Sequence, residues 1–216
     1  MPPKKDPNLP LILGFDTSAA HCAAALLSGA QLLGEKYEPM QKGQAEYLMP
    51  MLEALLARHG YGFSDLAGIG VGIGPGNFTG VRISVAAARG LSLGLSVPAI
   101  GITSLEATAF GAPRPCTVAL DARREMAYVQ RFESTPHLPE IMAIQEIPTD
   151  FPLWGSVPAS QTPPFNIAVA IAQLAAERLP EVGLPPHAQR PSPFYMRSAD
   201  AAPSSDLPPK IIERIA

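Results

Sequence analysis

A chain of 216 residues is long enough for one large domain or two small ones, and its 47% hydrophobic and 16% charged residues supply a core and exclude wholesale disorder. A net charge of −3, with Lys and Arg scattered, argues against a chain that holds nucleic acid unaided. No apolar run approaches the roughly 18 residues of a membrane span, and the opening Met1-Pro2-Pro3-Lys4-Lys5-Asp6 has no apolar signal core behind its charges, so the expected location is the cytoplasm.

Residues 11–15, 22–27 and 31–37 are short runs separated by turn-like pieces, which predicts a three-stranded antiparallel meander. From 45 to 59 the apolar positions Ala45, Leu48, Met49, Leu52, Leu55 and Leu56 recur at three and four, predicting a helix that Gly60 stops. Pro50 fits only in its first turns or at a kink. A strand at 69–73, a helix at about 79–95, a strand at 99–103 and a short helix from Ser104 follow. Three strands, helix, strand, helix, strand is the order of a ribonuclease-H-like lobe.

Between the 69–73 strand and the next helix lies a loop whose Gly74, Pro75, Gly76, Phe78, Thr79 and Gly80 form a structural unit. Its glycines and proline specify a path that ordinary residues do not follow, and such a path brings bare backbone close to something. The loop is not a Walker phosphate loop, because Gly80-Val81-Arg82 stands where Gly-Lys-Ser/Thr is needed. It is not a dinucleotide fingerprint either, since that needs an acidic residue about 20 positions on and none occurs between the loop and Glu106. Two readings stand: a tight strand-to-helix turn, or a seat for an anion or a partner's carboxylate, the latter supported by Arg82 and Arg89 on one face of the helix.

A second unit opens as the first does. Leu13-Gly14-Phe15-Asp16 and Val118-Ala119-Leu120-Asp121 are apolar strands ending in aspartate, each followed by a return strand, which suggests a duplicated lobe with a cleft between the copies. Beyond residue 132 the sequence turns irregular, with 15 of the 25 prolines from Pro136 onward and one clear helix at 166–179. The expected division is 1–110 for an N-terminal lobe carrying partner-binding helices, 111–200 for a smaller, proline-rich lobe, and 201–216 for a tail.

The set Phe15-Asp16-Thr17-Ser18, Leu48-Met49-Pro50-Met51, Gly74-Pro75-Gly76-Asn77-Phe78-Thr79-Gly80-Val81-Arg82-Ile83, Gly101-Ile102-Thr103-Ser104-Leu105, Leu120-Asp121-Ala122-Arg123 and Pro193-Phe194-Tyr195-Met196-Arg197 resembles the bacterial TsaB (YeaZ-like) family, in that family's order over nearly the whole chain. The resemblance implies two actin-like, ribonuclease-H-type lobes in the fold class α/β. It also implies a part in making threonylcarbamoyladenosine on tRNAs that read codons starting with A, as a non-catalytic partner of the paralogue TsaD with the ATPase TsaE, tRNA being met only through the complex.

The residues themselves speak against catalysis. Nucleotide-binding relatives approach phosphates with glycine-containing turns after the first strand of each lobe. Here those turns read Asp16-Thr17-Ser18-Ala19 and Asp121-Ala122-Arg123-Arg124. Asp16 and Asp121 remain the candidate nucleotide-contacting carboxylates, Asp16 with capping of its own turn as the alternative. His21, His59, His137 and His187 have no helical pairing, so no metal site is expected. Ser104 lacks a nucleophile elbow, and Gln44 stands where the family pattern often has histidine. What remains is surface: Tyr47, Met51 and Ala54 as a second row on the first helix, and Arg82, Ala86 and Arg89 on the second, which together can form half of a four-helix interface, the alternative being burial of both helices within the chain's own two lobes. No cofactor is expected, apart from a nucleotide at the partner interface. A small actin-like ATPase or kinase working between Asp16 and Asp121, and a homodimer when alone, are the competing readings.

Overall fold

The computed structural model describes residues 9–179 and 190–197; the expected tail at 201–216 and His187 lie outside them. Strands β1 (Leu11–Asp16), β2 (His21–Ser28) and β3 (Gln31–Pro39) form the antiparallel meander. Helix α1 (Gln44–Arg58) leads to β4 (Gly68–Gly72), α2 (Phe78–Leu95), β5 (Ala99–Ile102) and α3 (Ser104–Ala109). The first sheet has the order β3-β2-β1-β4-β5, with β4 and β5 parallel to β1. Helix α1 stops as its sequence predicts: Gly60, at φ +76°, donates its N–H to Ala57 and Tyr61 donates to Leu56.

The second sheet repeats the first in abbreviated form. β6 (Cys116–Asp121) and β7 (Met126–Phe132) pair antiparallel, β7 pairs antiparallel with β8 (Glu140–Ala143), and β9 (Leu153–Gly155) runs parallel to β6. The order β8-β7-β6-β9 corresponds strand for strand to β3-β2-β1-β4. Where the first lobe has α1, the second has a single 3-10 turn at Ile144–Glu146, and this missing helix is what makes it small. The irregular stretch expected beyond residue 132 therefore conceals two short strands.

Helix α4 (Ile167–Arg178) falls within 111–200 but covers the first sheet. Its Ala168, Ile171, Ala172 and Ala175 lie on β1 and β4, where a Cβ on Gly14 would meet Ala172 and one on Gly70 would meet Ala175 and Ile171. Glycine on the sheet and alanine on the helix thus permit backbone-close packing. α1 and α2 cover the opposite face, α1 bringing Leu52 and Leu56 into one core with Leu13, Phe15 and Leu26. α3 joins the lobes, packing Leu105 and Ala109 against Cys116, Val118, Tyr128 and Phe132.

Candidate functional site at the cleft and the outer face of α2

The chain approached by the glycine loop is its own. Asn77 N–H donates to Ser18 carbonyl at 2.6 Å and the Thr17 hydroxyl donates to Gly80 carbonyl at 2.7 Å. A Cβ on Gly76 would run into the Ser18 carbonyl, and one on Gly80 into that of Thr17. Gly74, at φ +91°, follows β4 and is joined to Pro75 by a cis bond. The late segment closes the loop from outside: Phe194 N–H donates to Ile73 carbonyl at 2.8 Å, and the Tyr195 ring lies 5.0 Å from that of Phe78. The N–H groups of Thr79 and Gly80, which an anion at this helix end would use, are capped by Asn77 Oδ1 at 3.0 and 3.1 Å. These contacts are those of the tight strand-to-helix turn, not of an open anion seat.

Behind this turn, Asp16 is wholly buried at the end of β1. Its Oδ1 accepts from the Ser18 N–H (3.0 Å), the Ser18 hydroxyl (2.9 Å) and His21 Nε2 (2.7 Å), while its Oδ2 has no hydrogen-bond partner among the described residues and faces Gly72. Capping of its own turn, the alternative read from sequence, is therefore present, with a histidine added. With Nε2 directed at Asp16, His21 Nδ1 accepts from the Tyr37 hydroxyl at 3.4 Å. Sequence reasoning missed both partners. The meander register contains the signal, since Ala23 opposes Tyr37 and so sets His21 diagonally to it on the same face.

A cleft of about 1120 Å³ lies between the lobes, walled by the Ser18–His21 turn, Asn77 and Ser104 on one side and by Asp121–Arg123 and Ser156 on the other. Asp121 is exposed there; its N–H donates to Ser156 Oγ at 3.0 Å, and its Oδ1 accepts from Arg123 N–H at 2.7 Å. The Ser104 hydroxyl lies 3.3 Å from that of Ser18, and among the described residues no histidine is bonded to it. Gln44 lines the cleft and donates to Met40 carbonyl at 3.1 Å. Among the described residues no group of three or more His, Cys, Asp or Glu side chains is placed to hold a metal.

The proposed partner rows divide. Met51 is 6% exposed and belongs to the core beneath α1 with Leu48, Leu52 and Leu55, so its place in an outward row is corrected: the helix turns it onto the sheet. Tyr47 is half-buried against that core and Ala54 is exposed. On α2, Val81, Val85 and Ala88 face inward, whereas Arg82, Ala86, Arg89 and Gly90 are exposed, and Leu93 is 73% exposed.

The two sheets, their shared strand order and the cleft define a two-lobed α/β protein of the actin-like, ribonuclease-H-like class. The model of the family described as TsaD, tRNA N6-adenosine threonylcarbamoyltransferase, matches residues 38–145, half of the chain. The tRNA threonylcarbamoyladenosine biosynthesis protein TsaB of Escherichia coli is 32% identical over 127 residues, covering 56% of this chain and 54% of that protein. Its Haemophilus influenzae counterpart is 35% identical over 125 residues, covering 54% and 51%. The chain thus spans about half the length of the curated relatives it matches. YeaZ from Pseudomonas aeruginosa superposes with a TM-score of 0.71 at 24% identity over 87% of this chain and 100% of that one, a likeness of fold. The chain belongs to the family that this model describes, as a TsaB (YeaZ-like) member.

Proposed function

We propose that the chain acts in threonylcarbamoyladenosine modification of tRNA as a non-catalytic scaffold for a TsaD-type paralogue. The observation that carries this reading is the closure of the first strand's turn by the chain's own glycine loop. The turn that active relatives open to phosphates is here filled from within the chain: the Ser18 carbonyl accepts from Asn77 N–H, the Thr17 hydroxyl donates to the Gly80 carbonyl, and Asp16 is engaged with Ser18 and His21. The outer face of α2, with the exposed part of α1 beside it, is the surface left for the paralogue. A TsaE-type ATPase joins the pair, tRNA is met through the assembly, and any nucleotide lies at the partner interface. Alone, the same face pairs two copies. The cytoplasm is the location that this role calls for; no described helix is long and apolar enough to cross a membrane.

The test is calorimetric titration of the chain with ATP and magnesium, then co-purification with the paralogue. We expect no binding in the first and a stable complex in the second, lost in Ala86→Glu without loss of fold, since exposed helix substitutions cost little stability. Tight ATP binding with turnover abolished by Asp16→Ala would favour a small actin-like ATPase instead.

A further inference from the structure

Arg82 stands on the outer face of α2, yet it is not a freely moving charge. Its guanidinium carbon lies 3.7 Å from the centroid of the Phe78 ring and its Nε–H donates to the Tyr195 hydroxyl at 3.0 Å. The guanidinium is held over the ring of Phe78, four residues earlier on the same helix, by a tyrosine that arrives 113 residues later. Its two terminal nitrogens make no hydrogen bond or ion pair among the described residues, and neither does Arg89. Seven residues separate the two arginines, about 10.5 Å along the axis on one face. Beside them the helix offers Ala86 and Gly90, and a Cβ on Gly90 would meet nothing within 4 Å. No acidic residue occurs between Asp65 and Glu106, so the helix itself cannot neutralise this pair.

We propose that Tyr195 and Phe78 preorganise Arg82 to take a carboxylate of the docked partner in a two-point hydrogen-bonded pair, with Arg89 taking a second carboxylate two turns on. This rests on the reading that the outer face of α2 meets the TsaD-type paralogue, and names its recognition chemistry: a close-packed segment carrying two acidic side chains about 10 Å apart. The terminal nitrogens of a guanidinium whose Nε is already bonded present the edge that suits carboxylate pairing. Holding that edge in place removes side-chain ordering from the cost of binding. Tyr195 is thus a positioning residue, and the segment at 190–197 serves the interface as well as closing the glycine loop.

The experiment measures affinity of the full chain for the purified paralogue at low and moderate salt. Arg82→Gln should weaken binding by about 30-fold, and Tyr195→Phe, which keeps the ring on Phe78, by roughly 3- to 10-fold. In the Arg82→Gln background Tyr195→Phe should change affinity less than about twofold, because its effect passes through the arginine. The salt dependence of binding should be shallower for Arg82→Gln than for wild type. Equal losses from Tyr195→Phe in both backgrounds, or identical salt slopes, overturn the proposal and leave Tyr195 as a strut. Wild-type affinity in Arg82→Gln together with lost binding in Ala86→Glu overturns it while the scaffold reading stands. Wild-type affinity in Ala86→Glu, or no binding by the unaltered chain, overturns both.

Discussion

Cys22 follows the histidine that meets Asp16, and its thiol shows how closed this corner is. Burial, with the Asp16 charge added, pushes it up to about 12, and burial raises Cys116 as well, against the charge of Arg114. The thiolate is the reactive form. Neither cysteine should therefore be alkylated by iodoacetamide at pH 8 in the native chain, and both should react fully in denaturant; mass spectrometry of the digested protein reads the result. Met51 gives a second residue-scale expectation. A lysine there would put an unpaired ammonium among Leu48, Leu52 and Leu55, at a cost on the order of 3–5 kcal/mol. Met51→Lys should consequently lose much of its stability in urea unfolding, whereas Ala54→Lys, on the exposed side, should unfold like wild type within about 0.5 kcal/mol.

Among the elements, α3 and α4 are tied by one side-chain link. Arg178 Nη2 donates to Glu106 Oε1 at 2.7 Å, and Thr103 donates its N–H and hydroxyl to Oε2 at 3.1 and 2.9 Å. Burial pushes the Glu106 carboxyl up, but the hydrogen bonds from Arg178 and Thr103 and the Arg178 charge together outweigh it and hold the group below its ordinary range. Because the folded value is depressed, the link stabilises fully above the unfolded carboxylate value and loses that contribution as pH falls through the folded one. The stability difference between wild type and Glu106→Gln should be constant near neutrality and shrink below about pH 4.5, the group's ordinary value, in denaturation curves across pH. The helix–sheet contact makes a steric prediction: Gly70→Val drives a side chain into Ala175 and Ile171 and should cost at least about 1–3 kcal/mol. Helices and long strands were legible because their periodicity is local. β8 and β9 were not, since four and three residues among prolines carry too few alternations to register and are fixed by pairing with β7 and β6.

At the scale of the whole molecule, the two lobes repeat one strand order, but only the first has a helix between its third and fourth strands, and only the first carries the glycine loop on its turn. The sequence made the duplication visible through Asp16 and Asp121, yet not the return of α4 to the first sheet, which depends on small residues far apart in the chain, Gly14 meeting Ala168 and Ala172, rather than on any local pattern. Nor did periodicity separate Met51 from Ala54, because α1 is covered on more than one side by β2, β3 and α2. The central claim, that the chain works through a surface and not through its cleft, meets its most direct test in a reconstituted tRNA-modification reaction containing the paralogue and the TsaE-type ATPase. The chain is supplied as wild type, as Asp16→Asn or as Ala86→Glu, each checked for folding. The account predicts near-wild-type modification with Asp16→Asn and none with Ala86→Glu; modification lost with Asp16→Asn and retained with Ala86→Glu would contradict it.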